Sequence, residues 1–352
     1  MVVQLQKYFE EFHETIKLNY DDNSYLRETR DEIIEVLKKE LKEQVSVNFT
    51  TFNQGSYAMF TGIKAMDLGD YDIDVGVIFE IDKEEYTNPI EVKEWIYNAL
   101  KNSYEDVEMK RPCVTVKFPS TRKEERNIHV DFAVYSQKNQ NSYNYIAKGK
   151  LNSSVENRVW EICEPKELLD KIKNNLEDTN ERRQFRRIIR YMKRWKDNKF
   201  KNQVNRPTGI GLTVAGLNYF NPNYTKDIFK NEKKFNDFEA LENFVNNMIN
   251  AFKSVYEDGV FGSRLHIYLP TQPYNDIYEG MSLKQMEDFK EKLINLLNII
   301  IEVKDEIDPK VACEKLSKEF GDDFPIPEDS ETAERKNIAI LNNTSSAFDY
   351  EF

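Results

Sequence analysis

Apolar residues recur at helical spacing over residues 3–18, where Leu5, Tyr8, Phe9, Phe12 and Ile16 fall on one side. Asn19–Ser24 breaks that spacing, and Ser24 suits an N-cap. A second helix then runs to about Lys42, with Leu26, Ile33, Ile34, Leu37 and Leu41 together on one face. Both helices are expected to cover a sheet. The period next changes to that of strands. Val45–Phe52 and the run Ile73–Phe79, IDVGVIF, carry the β-branched and aromatic residues that suit a packed sheet. Pro89–Asn102 returns to helical spacing with Val92, Trp95, Ile96 and Leu100 inward. Cys113–Phe118 and Ile128–Tyr135 are two more strands, separated by the charged loop Ser120–Asn127. Strands interleaved with helices in this way predict an α+β domain built on a mixed sheet.

From about Leu151 the strand pattern ends and helices take over. Helices are predicted over Glu164–Leu176, Glu181–Lys196, Arg206–Tyr219, Phe238–Val255 and Ser282–Val303. Arg264–Gly280 is rich in turn residues, and the chain becomes polar after Phe324. The expected organisation is therefore a sheet-bearing lobe over residues 1–150, a helical lobe over 151–324, and a polar tail over 325–352.

The 352 residues carry a net charge of −12, and 32% of them are charged. Mean hydropathy is −0.71. No apolar run approaches the length of a membrane span, and the opening MVVQLQKYFEEFHE lacks the pattern of a signal peptide. A cytoplasmic protein independent of membranes is expected. Cys113, Cys163 and Cys313 are far apart, and with three histidines they form no zinc-binding spacing. The acid excess argues against a broad basic face for duplex nucleic acid, while leaving room for a local basic pocket for nucleotides. Against that excess, residues 182–196 hold eight Arg or Lys and no acid, which makes this helix a local cationic surface. Its apolar stripe is Phe185, Ile188, Ile189, Met192 and Trp195, while Arg186, Arg190 and Lys193 lie along one flank.

The candidate chemistry sits in Gln54–Phe79, QGSYAMFTGIKAMDLGDYDIDVGVIF. Strand alternation turns Asp72 and Asp74 to one face, opposite Ile73, Val75 and Val77. Two adjacent carboxylates repel unless a cation sits between them, and a hard divalent ion such as Mg²⁺ accepts both carboxylate and phosphate oxygens. The Gly55-Ser56 turn upstream offers backbone N–H groups and a hydroxyl to an anion. Thr208, before the predicted helix at Arg206–Tyr219, is a second anion candidate, although threonine there also serves as a cap. Asp67 and Asp70 complicate the pair, because Asp70 and Asp72 have the same spacing. His129 is read as structural, turned to the face opposite Asp131. Cys113 and Tyr57 are read as packing residues.

Gly55-Ser56 followed by Asp72-Ile73-Asp74-Val75 resembles the signature of the DNA-polymerase-β-like nucleotidyltransferases, and Asp131 in NIHVDFAVY supplies the later strand carboxylate of that signature. The wording QGSY, TGIK and DYDIDVG resembles most the bacterial cGAS/DncV-like nucleotidyltransferases, which make cyclic oligonucleotide signals in anti-phage defence. The resemblance implies a bilobal polymerase-β-like core with a helical C-terminal lobe and a long N-terminal helix bracing the lobes. It favours Asp72 and Asp74 over Asp70, and implies that Asp72, Asp74 and Asp131 hold two Mg²⁺ or Mn²⁺ ions. Gln54, Gly55, Ser56, Lys193 and Thr208 would then hold the phosphates of a nucleoside triphosphate, whether ATP, GTP, UTP or CTP.

The expected activity is joining nucleoside triphosphates into a cyclic di- or trinucleotide read by an effector encoded in the same operon, with no requirement for duplex nucleic acid. Two alternatives stay open at this point. One is a template-independent transferase that modifies RNA, protein or a small molecule, and the other is a catalytically inactive nucleotide-binding regulator. The tail, which ends Asp349-Tyr350-Glu351-Phe352, is expected to be dispensable for chemistry and not to be conjugated through its C-terminus.

Overall fold

The structure, a computed structural model, describes residues 5–18, 24–66, 70–118, 127–201, 204, 206–227, 229, 232–257 and 259–328. The chain begins with α1 (Gln6–Ile16), which buries Tyr8, Phe9, Phe12 and Ile16 as the spacing predicts. In α2 (Ser24–Gln44), Leu26, Ile33, Leu37 and Leu41 are wholly buried. Strand β1 (Phe49–Gln54) leads through a single helical turn, α3 (Gly55–Ala58), toward β2 (Tyr71–Phe79). Helix α4 (Pro89–Lys101) starts with proline in its first turn, and the Asn88 side chain accepts the Ile90 N–H at 3.3 Å. Then follow β3 (Val107–Met109), β4 (Val114–Phe118), β5 (Ile128–Ser136), β6 (Asn144–Lys148), β7 (Val159–Cys163) and α5 (Pro165–Lys173).

These seven strands form one sheet with β1, β2, β5, β4 and β3 in order, and β6 joins the end of β5 beyond β4. Only β2 and β5 run parallel, so the sheet is mixed and the fold is α+β. One face is apolar throughout. Ile73, Val75, Val77 and Phe79 of β2 pack there with Val114, Val116, Val130, Phe132 and Val134, beneath the inward residues of α2 and α4. Lys93 of α4 enters this core with no exposed surface. Its ammonium donates to the carbonyls of Lys110, Arg111 and Gly149 at 2.6, 3.1 and 2.7 Å. Burial pushes its pKa down to about 8, and the three carbonyl dipoles keep the proton in place at neutral pH.

The second unit contains α6 (Thr179–Lys199), α7 (Gly209–Tyr219), the hairpin β8 (Tyr224–Asp227) and β9 (Glu232–Phe235), α8 (Asp237–Asn250), a further hairpin of β10 (Lys253–Glu257) and β11 (Val260–Arg264), α9 (Leu283–Lys304) and α10 (Pro309–Phe320). Its centre is the wholly buried Asp237. The Arg187 guanidinium donates to it at 2.6 and 2.7 Å, Tyr191 at 3.0 Å and Gln184 at 3.2 Å. These donors satisfy the carboxylate oxygens in the absence of water. Around it pack Phe9, Phe12, Tyr191, Phe320 and Phe324.

Several expectations change. Contacts divide the chain into residues 18–175 with 268–276, and residues 1–17, 176–267 and 277–352, because β6, β7 and α5 extend the sheet unit past residue 150. Helix α1 belongs to the helical unit. It packs on α6 and α8, where its aromatic stripe meets Tyr191 and Phe238. Strand β1 is shifted to end at Gln54, and α8 ends at Asn250, so Val255 lies in β10. Both hairpins and α10 were not anticipated, since the hairpins are charged or exposed and lack a clean alternation. Asp67, most of the Ser120–Asn127 loop and the tail beyond residue 328 lie outside the described residues.

Gly76 faces the ring of Phe52, which would stand 2.1 Å from a Cβ at that position. Gly76→Ala is therefore expected to destabilise the sheet unit by about 1–3 kcal/mol in urea denaturation, and Phe52→Leu to restore part of the loss. In the helical unit, burial and the charges of Arg190 and Arg187 lower His13 to about 4, and its Nε2 lies 2.9 Å from Arg190 Nη1. A lowered folded-state pKa means the unfolded chain takes up the proton first, so stability falls as pH drops from about 6.5 to about 4. His13→Gln is expected to remove on the order of 2 kcal/mol of that pH dependence, measured as the difference between the two chains' denaturation midpoints at pH 7 and pH 5.

Candidate active site

Strand register assembles the carboxylates. β1 runs antiparallel to β2, placing Gln54 opposite Asp74, and the parallel β2–β5 ladder places Asp74 beside Asp131. Across the antiparallel β4–β5 ladder, Thr115 faces Asp131. Paired residues in adjacent strands share a face, so Gln54, Asp74, Asp131 and Thr115 form a row across four strands. The next row holds Asp72, His129 and Lys117. Asp72, Asp74 and Asp131 thus lie on the face opposite the apolar core, as expected from alternation. His129 corrects the sequence reading. It is two residues from Asp131 and therefore on the same face, and its Nε2 and Nδ1 lie 2.9 Å from Asp70 and 3.5 Å from Asp72.

The turn before β2 is shaped by Gly55. Its φ is +66°, a conformation that glycine adopts without steric penalty, and a Cβ there would fall 1.8 Å from Asp74 Oδ2. No side chain fits between the turn and the carboxylate. Ser56 follows within α3, its carbonyl accepting the N–H of the buried Thr61 at 3.0 Å. On the other side of the turn, the side-chain amide oxygen (Oε1) of Gln54 accepts the Tyr135 hydroxyl at 2.9 Å. Burial pushes the Tyr135 phenol far above its ordinary pKa, so it remains a proton donor. Tyr57 packs under the Arg30 guanidinium, as a packing residue should.

The electrostatics are those of crowded anions. Asp72 is pushed above the ordinary carboxylate pKa by burial and then by the charge of Asp131, while His129 and Lys110 act in the opposite direction. Asp70 accepts from Asn127 at 3.1 Å and pairs with His129, which it shares with Asp72. Asp131 accepts the Thr115 hydroxyl, and Lys110 Nζ stands 3.9 Å from the same Oδ1. Among the described residues, no three His, Cys, Asp or Glu side chains stand close enough together to ligate one ion. Asp72, Asp74 and Asp131 nevertheless share one face, and the turn at Gly55 leaves Asp74 uncovered by any Cβ, so the donor chemistry is of the oxygen type that suits a hard divalent cation.

Lys193 and Thr208, predicted from distant stretches, are neighbours in the helical unit. Lys193 is buried on α6, and a Cβ at Gly209 would sit 3.4 Å from its Cε and 3.9 Å from its Nζ. Thr208 caps α7, its hydroxyl oxygen accepting the Gly211 N–H at 3.1 Å. Arg190, expected on the same flank as Lys193, is instead engaged with His13, and burial together with Arg186 lowers it to about 10. Thr115, Lys110 and Tyr135 escaped the sequence reading. Alternation along Cys113–Lys117 could have flagged Thr115, since Cys113, Thr115 and Lys117 share the face that bears the acids.

Residues 49–135 match the family model described as cyclic GMP-AMP synthase DncV-like, nucleotidyltransferase domain. A cyclic GMP-AMP synthase of Escherichia albertii is 32% identical over 181 residues, 49% of this chain, and this chain spans 37% of the length of that relative. Among solved structures, CdnC of E. coli MS115-1 with ATP superposes with a TM-score of 0.65 at 17% identity, covering 91% of this chain and 98% of that one. The CD-NTase CdnG of Bradyrhizobium diazoefficiens with GTP gives a TM-score of 0.67 at 13% identity, covering 91% and 96%. At such identities the superpositions speak for the fold, and the sequence match covers the segment that holds every acid of the site. Residues 49–135 thus resemble a DncV-like nucleotidyltransferase domain, in a chain that has the fold of the cGAS/DncV-like nucleotidyltransferases.

Proposed function

We propose that this protein is a metal-dependent nucleotidyltransferase that joins nucleoside triphosphates into a cyclic di- or trinucleotide, acting in the cytoplasm as the signal-producing enzyme of an anti-phage defence system. The observation that carries the reading is the row Gln54–Asp74–Asp131 with Asp72 beside it, because one face presents three carboxylates next to a glycine-shaped turn. Relatives bind ATP and GTP in their solved structures, which supports nucleotides as the substrate class.

Transfer of a nucleotidyl group forms a bond from a ribose hydroxyl oxygen to the α-phosphorus and breaks the bond to the β-phosphate, releasing pyrophosphate. The last transfer, within the linear di- or trinucleotide, closes the ring and releases the remaining pyrophosphate. Two Mg²⁺ or Mn²⁺ ions held by Asp72, Asp74 and Asp131 would neutralise charge on the attacking and leaving oxygens. Asp131 is assigned to the side of the attacking hydroxyl and takes part in removing its proton. Gly55 and Ser56 present N–H and O–H donors to the β- and γ-phosphates, with Gln54 fixing the turn through Tyr135. The resemblance assigns Lys193 and Thr208, the latter at the N-terminus of α7, to phosphate oxygens as well.

The test is incubation of the pure protein with ATP, GTP, UTP and CTP, singly and mixed, with Mg²⁺ or Mn²⁺, followed by mass spectrometry of the products. Asp72→Asn and Asp74→Asn are each expected to lower product formation by about three orders of magnitude. Thermal unfolding should stay unchanged or rise, since each change removes a charge repelled by its neighbours. Wild-type activity in the double variant would end this reading. Duplex DNA is expected to give no stimulation at any salt concentration, given the net charge of −12. Activation that disappears steeply with added salt would overturn that expectation.

A further inference from the structure

Two neighbours meet Asp131 at its Oδ1. Thr115, directly across the β4–β5 ladder and wholly buried, donates its hydroxyl to Asp131 Oδ1. The Lys110 ammonium stands 3.9 Å from that same oxygen. Behind Thr115, the Cys113 sulfur lies 3.6 Å from the hydroxyl oxygen. A threonine hydroxyl has a single proton, so with that proton on Asp131 it must accept from the thiol. Burial and the charge of Asp131 push the thiol up to about 11, which keeps it protonated for that role. The chain of donors therefore runs from Cys113 through Thr115 to Oδ1.

Lys110 is placed with similar care. Its carbonyl accepts the buried Lys93 ammonium at 2.6 Å, and its N–H donates to the Cys113 carbonyl at 3.0 Å. The bend that carries Lys110 is thus tied both to α4 and to the start of β4.

We propose that Thr115 is a positioning residue that commits Oδ1 of Asp131, so that Oδ2 is the oxygen offered to a divalent cation, and that Lys110 supplies the positive charge at Asp131 until that cation binds. This rests on the metal-dependent reading of the site. A carboxylate with one oxygen fixed by a buried donor loses its rotational freedom, so its other oxygen meets an ion at a lower entropic penalty. The ammonium acts with the opposite sign, because it competes with the ion for one anion.

The experiment measures binding of Mn²⁺ alone to the full chain by the electron paramagnetic resonance signal of free Mn²⁺, and separately the Mg²⁺ dependence of product formation. Thr115→Val keeps the volume and branching of the side chain while removing the donor. It is expected to weaken Mn²⁺ binding about tenfold and to raise the Mg²⁺ needed for half-maximal rate by a similar factor, leaving the nucleotide KM unchanged. Thr115→Ser restores the donor and should return both to within about twofold of wild type. Lys110→Gln is expected to bind Mn²⁺ about threefold more tightly. If valine disturbs packing, seen by circular dichroism, the sign of the Lys110→Gln effect decides, because that side chain is partly exposed and its loss leaves the core intact. Unchanged Mn²⁺ binding in a folded Thr115→Val chain, or weaker binding in Lys110→Gln, overturns the proposal while the metal-dependent reading stands. A wild-type chain that binds no Mn²⁺ removes both.

Discussion

Everything at this site depends on the parallel pairing of β2 with β5. That register sets Asp74 beside Asp131, with Asp72 one step further along the same face. Bringing like charges together at a surface is unfavourable, and burial followed by the charge of Asp131 raises the Asp72 carboxyl. The surrounding structure responds residue by residue. His129 stands against Asp72 and Asp70, Lys110 and Thr115 against Asp131, and glycine leaves Asp74 room at the turn. Each of these features is intelligible as an answer to negative charge that the strand pairing makes unavoidable.

The same face changes character along its length. Beyond the acids come Gly76, Phe52, Ala133, Ile78 and Tyr135, which pack together as a small apolar cluster. The opposite face is apolar from end to end. Strand β2 is therefore amphipathic in two senses, across its faces and along one of them. The polar portion is backed by a core that excludes water, which strengthens every charge interaction on it.

Much of this was legible in the sequence because two periodicities carry it. The 3.6-residue spacing of Leu26, Ile33, Leu37 and Leu41 located α2, and the alternation in Asp72-Ile73-Asp74-Val75 told which side chains share a face. The same alternation, applied to His129 and Asp131, places them together, so the misreading there was of counting rather than of chemistry. What sequence periodicity does not contain is pairing across strands. That Thr115 lies opposite Asp131 follows from the register of β4 on β5, a relation between residues sixteen apart. Nor does it contain partnership of helices. The stripe on α1 was evident, but a stripe does not name its mate, and the aromatic residues of α6, α8 and α10 claim it. The hairpins escaped because Tyr224–Asp227 and Glu232–Phe235 are held by backbone pairing with little burial to mark them.

Strand β5 has neighbours on both edges along its length: β2 on one, β4 and then β6 on the other. A strand gripped in this way cannot slide or tilt without breaking two ladders of hydrogen bonds at once. Asp131 is consequently as immobile at its Cα as any residue in the sheet, and the same holds for Asp74 between β1 and β5. The backbone of this acidic row offers no induced fit. Any rearrangement among Asp72, Asp74 and Asp131 must come from side-chain torsions, so the sheet fixes where negative charge stands along the row even when a carboxylate turns.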